Sequence, residues 1–288
     1  MLDPDDFRLD VIDGGFARDV PPHWCFGDRA FGGYTAALAL DALLTSGPHH
    51  VAASLAVTFL EACVAGPVTI TVEPLRSGRS AAASRATLHQ GGRPILSAIA
   101  WLVDGWADPP GTAAPAPVFA AEDGTAASAA LDAVAAGPGA GASLAWLTEH
   151  WPALAYAERT GIDYPTSWEA FARGRPEVAL WARVLAPPDG AADAADPLPF
   201  AQLGDVLHLD GHLFDAPGQI TSYGEADLIS LDLNIAWQPG SQRVPSTAWR
   251  LIECRGSMAA TAATSYASVR GPDGGLLAVA TSQGLVRR

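Results

Sequence analysis

Residues 76–103, RSGRSAAASRATLHQGGRPILSAIAWLV, decide the fold, because residues 255–286, RGSMAATAATSYASVRGPDGGLLAVATSQGLV, carry the same pattern. In each copy a turn leads into a strand of small residues. That strand ends at a glycine-rich turn, and an apolar strand follows. The turns are Arg76-Ser77-Gly78-Arg79-Ser80 and Gln90-Gly91-Gly92-Arg93-Pro94 in the first copy. In the second they are Arg255-Gly256-Ser257 and Arg270-Gly271-Pro272-Asp273-Gly274-Gly275. A repeat at this long period predicts a duplicated domain and not a solenoid. Duplication creates an internal pseudo-dimer interface, a favoured place for a ligand site.

The flanking sequence extends both copies. In the first half, Val51–Glu61 and Pro67–Leu75 read as strands, with period-2 alternation at Val68-Thr69-Ile70-Thr71-Val72. Phe31-Gly32-Gly33 opens a helix from about Tyr34 to Leu44, apolar nearly all round and therefore buried. Residues 7–27 read as a hairpin. In the second half, strands are expected near Leu154–Tyr164 and Pro176–Leu185, then a helix from Pro199 to about Leu213. Strands follow at Asp227–Trp237, Trp249–Ser257, Ala259–Val269 and Leu276–Val286. A helix wrapped by four antiparallel strands, twice, is an α+β arrangement. The expected domains are residues 1–103 and 144–288, joined by an Ala/Pro/Gly-rich linker over 104–143.

Composition narrows the function. The chain of 288 residues has a net charge of −14, which argues against a broad nucleic-acid footprint. All 17 basic residues are arginine, so no lysine Schiff base, Ser-Lys dyad or Walker A site is available. No apolar run reaches the ~18 residues of a membrane span. Cys25, Cys63 and Cys254 form no CxxC, which points to a reducing cytoplasm and away from a disulfide framework. No GxSxG occurs, so a serine hydrolase elbow is disfavoured. His208 and His212 lack the glutamate of HExxH, and neither a metal nor a cofactor is expected.

In this order of elements the chain resembles the double-hotdog acyl-CoA thioesterases, the type II or TesB-like group. The resemblance rests on Phe31-Gly32-Gly33-Tyr34, Arg76-Ser77-Gly78-Arg79-Ser80, Ile229-Ser230-Leu231-Asp232-Leu233 and Thr281-Ser282-Gln283-Gly284-Leu285-Val286-Arg287. It covers both halves but not the linker. It implies a double hotdog, two helix-wrapped sheets in one chain, and hydrolysis of fatty acyl-CoA without metal or covalent intermediate. An aspartate, a hydroxyl residue and a glutamine position the attacking water in that family. The aspartate matches Asp205 and the hydroxyl Ser230. The family's Gln-Glu-Gly reads Ser282-Gln283-Gly284 here, so either Ser282 or Gln283 takes the glutamine's part. One residue along a strand reverses the side-chain face, so only one of the two can point inward. Leu233 stands where the best-known members carry histidine.

The residues give these assignments chemical sense. Gln202, Asp205, His208 and His212 form a polar stripe on the second helix. A carboxylate buried there would rise in pKa and could serve as general base. Ser230, Asp232 and Asn234 are expected to share one strand face, with Asp232 a rival base. Amides at Gly32, Gly33 and Tyr34 could polarise a thioester carbonyl. Arg76 and Arg79 are candidates for CoA phosphates. Two other activities remain: a non-catalytic acyl-CoA binding protein, and an enoyl-CoA hydratase-like enzyme of the same fold. Free sheet edges leave room for homo-oligomers.

Overall fold

The computed structural model describes residues 4–105, 154–158, 177–184, 196, 198–212, 227–259 and 261–287. Strands β1 (Asp10–Ile12), β2 (Gly15–Val20), β3 (Cys25–Phe26) and β4 (Arg29–Ala30) precede helix α1 (Gly32–Ser46). The strands of the first half are β5 (Val51–Phe59), β6 (Gly66–Ser77), β7 (Ala81–Gln90) and β8 (Arg93–Val103). Then come β9 (Leu154–Glu158), β10 (Glu177–Val184) and helix α2 (Ala201–His212). The strands after α2 are β11 (Asp227–Ser230), β12 (Asp232–Trp237), β13 (Arg250–Met258), β14 (Ala262–Arg270) and β15 (Leu276–Arg287). Of the linker expected over 104–143, all but Asp104 and Gly105 lies outside the described residues.

Thirteen of the described strands form one antiparallel sheet, ordered β1-β2-β6-β7-β8-β5-β12-β15-β14-β13-β10-β9, with β11 also paired to β15, while β3 and β4 pair with each other in a separate ribbon. The repeat read from sequence is the meander β6-β7-β8 and its counterpart β13-β14-β15. The halves join where β5 pairs with β12, Ala56 opposite Asn234. The sheet wraps two helices that pack on each other. Helix α1 is buried from Gly33 to Leu44, as its apolar circumference requires. Leu38, Leu40, Leu43, Leu55, Ile70, Leu203, Leu207, Leu233 and Ile252 belong to one continuous core shared by both halves.

One expected regularity fails. Ser230, Asp232 and Asn234 do not share a face. The alternation breaks at Leu231, between β11 and β12. Leu231 instead donates its N–H to the Gln283 carbonyl. A bulge adds one residue to the strand and shifts the phase of everything before it. Ser230 therefore turns inward with Leu233 and Ile235, while Asn234 is exposed.

Candidate active site

The helices meet head to tail. Asp210, in the last turn of α2, lies against the first turn of α1. A Cβ added at Gly32 would come within 2.9 Å of Asp210 Oδ2. One at Gly33 would lie 3.1 Å from Asp210 Cβ and 2.6 Å from the Phe31 ring. Glycine suits both positions because the Asp210 side chain and the Phe31 and Phe59 rings crowd the first turn of α1. The Gly33 N–H donates to the Asp210 carboxylate, and the Ser230 hydroxyl donates to Oδ1 at 3.3 Å. Burial pushes the Asp210 carboxyl up to about 6, with the two hydrogen bonds pulling it the other way. A carboxylate at a helix N-terminus also meets the positive end of the helix dipole.

Asp205 occupies a different environment. Its Oδ1 accepts from Arg250 Nε at 2.5 Å and its Oδ2 from Trp237 Nε1 at 2.9 Å. Both charged side chains are fully buried. Arg250 also donates to the carbonyls of Val244, Pro245, Ser246 and Ala248. Asp205 thus ties α2 to the loop between β12 and β13. The remaining stripe residues divide: Gln202 is bonded to the backbone of Ala52, and His208 is buried.

The strand residues sort by face. Ser282 is buried and its hydroxyl donates to the Asp232 carbonyl at 2.6 Å. It lies on the face of Gly284, which pairs with Ser230. Gln283 is exposed on the opposite face, and its N–H donates to Asp232 Oδ1 at 2.7 Å. Ser282 therefore points inward and braces the bulge at Leu231, while the Gln283 side chain points away from Asp210. Asp232 serves the same bulge from outside.

Tyr34 contributes a backbone amide to the first turn of α1, while its side chain belongs to the core. Its hydroxyl donates to the Asp6 carbonyl at 2.7 Å, its ring stacks on Trp24 with centroids 4.8 Å apart, and burial pushes its pKa up. Arg76 and Arg79 lie at the other end of α1. His49, just past that end, contacts the Gly78 carbonyl at 3.1 Å. A 15-residue helix puts about 20 Å between this turn and Gly33. Arg76 is exposed, with its guanidinium 5.9 Å from the centre of the Trp101 ring.

The sequence reading did not single out Asp210. One signal was present: Asp210 follows Gln202 by eight residues, as Asp41 follows Gly33 in the first copy.

Residues 20–103 match the acyl-CoA thioesterase N-terminal domain. Among solved structures, an acyl-CoA thioesterase II TesB2 from Mycobacterium marinum superposes with a TM-score of 0.72 at 20% identity, covering 99% of this chain and 98% of that one. The tesB protein of Mycobacterium avium subs. paratuberculosis gives 0.67 at 17% identity, covering 99% and 98%. A protein of unknown function with a hot dog fold from Alicyclobacillus acidocaldarius gives 0.69 at 16% identity, covering 100% and 99%. No curated protein matches the chain. The fold is the double hotdog, and the resemblance to TesB-like thioesterases is borne out. None of the helices in the described residues is long and apolar enough to cross a membrane.

Proposed function

We propose that this chain hydrolyses acyl-CoA thioesters, with Asp210 as general base. The supporting observation is the Asp210 carboxyl, buried at the start of α1, bonded by Gly33 N–H and Ser230, with a pKa near 6. A base poised just below neutrality is charged in the cell yet basic enough to accept a proton from water. In this reading Asp210 removes a proton from water as its oxygen attacks the thioester carbon. Backbone N–H groups in the first turn of α1 stabilise the developing oxyanion. The carbon–sulfur bond then breaks, and CoA leaves as the thiolate and takes up a proton.

The other expected residues take altered parts. Asp205, matched to the family aspartate in the sequence, holds Arg250 and anchors α2. Ser230 orients the Asp210 carboxyl. Ser282 supports the bulge that turns Ser230 inward, and Gln283 stays outside the site. The test is thiol release from acyl-CoAs of graded chain length, for wild type and for Asp210→Asn and Asp205→Asn. An Asp210→Asn enzyme as fast as wild type would remove Asp210 from the mechanism.

A further inference from the structure

An internal twofold axis follows from strand register. Across the junction Asn234 faces Ala56, Asp232 faces Thr58 and Ala236 faces Ser54. Rotation about the Asn234–Ala56 pair carries Asp232 onto Ser54 and Thr58 onto Ala236. The next strands obey the same operation. Asn234 faces Thr281 and Ser230 faces Gly284, while Ala56 faces Ile99 and Ala52 faces Leu102. Each copy carries one extra residue, at Leu231 in one and between Ala52 and Ser54 in the other. Ser230 therefore corresponds to Ala52, Ser282 to Ala100 and Gly284 to Leu102.

The helices follow the same axis. Helix α1 starts at Asp210 of α2, and Gln202 at the start of α2 meets Ala52 just past the end of α1. The rotation sends Gly33 to Gln202 and, eight residues on, Asp210 to Asp41.

The mate keeps the carboxylate and loses the rest. Asp41 is buried in mid-helix, and the Thr45 hydroxyl donates to it at 3.4 Å. Where Gly33 has no side chain, Gln202 is closed on the backbone: its Oε1 accepts from the Ala52 N–H at 2.9 Å, and its Nε2 donates to the Ala52 carbonyl at 2.8 Å. Where Ser230 offers a hydroxyl, Ala52 has none. Where Gly284 leaves space, Leu102 fills it with a buried side chain. A buried carboxylate with so little hydrogen bonding destabilises the fold. Core packing gives no reason for Asp41; correspondence with Asp210 does.

We propose that Gln202 plugs the twofold mate of the Asp210 site, so that each chain offers one acyl-CoA site and Asp41 is the silent counterpart of the base. This rests on the thioesterase reading above. The test is calorimetric titration with a non-hydrolysable S-alkyl-CoA thioether. Wild type is expected to bind a single equivalent per chain, and Gln202→Gly/Leu102→Gly a second. Two equivalents on wild type, or one on a folded double variant, overturns the plug and leaves the thioesterase reading intact. No binding to wild type overturns that reading itself, and the plug falls with it. If the double variant fails to fold, the wild-type stoichiometry still decides, and Asp41→Asn supplies a second measure. That variant should hydrolyse acyl-CoA at the wild-type rate; a halving of the rate, with Asp210→Asn retaining the other half, would make the mate a working site.

Discussion

The Ser230 hydroxyl donates to Asp210 Oδ1 across 3.3 Å, joining the last turn of α2 to the strand that follows it. The contact exists because the strand bulges at Leu231. Without that extra residue Ser230 would face the other side of the sheet.

Asp210→Asn should lower kcat by roughly 10²- to 10⁴-fold, the usual contribution of a general base, with KM little changed. The variant is nearly isosteric and keeps a group that can accept from Gly33 and Ser230. Steady-state thiol release over a range of acyl-CoAs checks this.

The same carboxyl sets the pH profile. With a pKa near 6, kcat/KM should rise with one-proton dependence through pH 6 and level off above it. Removing the Ser230 hydroxyl takes away a bond that favours the charged form, so Ser230→Ala should move the midpoint to higher pH.

Stability should move oppositely to activity. The folded pKa of Asp210 lies above the ordinary value of 3.8, so the folded state holds this proton more tightly than the unfolded chain. Its contribution is present below pH ~4 and is lost as pH rises through about 6, amounting to roughly 3 kcal/mol. Asp210→Asn should therefore gain stability over wild type between pH 4 and pH 8. Denaturation midpoints at the two pH values measure it.

Breaking the Asp205–Arg250 pair should act on folding. Arg250→Leu leaves a buried carboxylate uncompensated and should cost about 3–5 kcal/mol in chemical denaturation. Asp205→Asn strands the guanidinium and should also destabilise. Its remaining folded fraction should turn over acyl-CoA far better than Asp210→Asn does.

Gly33→Ala tests the close approach. Its Cβ would fall 2.6 Å from the Phe31 ring, which must move, and 3.1 Å from Asp210 Cβ, which must give by a few tenths of an ångström. A displacement below ~1 Å should lower kcat by less than about 10²-fold, with a smaller change in KM. Kinetics on protein shown to be folded by circular dichroism would reveal it.

The elements were legible because their signals are local. Glycine turns, period-2 strands and an apolar helix lie within a few residues of one another, and the matching 76–103 and 255–286 patterns disclose the duplication. Helix α1 begins at Gly32, two residues before the expected start, and β15 ends within a residue of it. The break in the strand at Leu231 left no such local mark. Alternation predicts Ser230, Asp232 and Asn234 together, and nothing in Ile229-Ser230-Leu231-Asp232 marks Leu231 as extra. The bulge becomes visible only against its partner, β15.

By itself the sequence determined an α+β chain, its duplication, its buried helix and the likeness to thioesterases. Tertiary structure alone decided which aspartate of α2 lies at the start of α1. Asp205 and Asp210 are five residues apart, about 140° around the helix. Their polarity is the same, and their surroundings come from residues far away in the chain: Arg250 and Trp237 for one, Gly33 and Ser230 for the other. A carboxylate's role follows from what surrounds it after folding, and local spacing does not encode that.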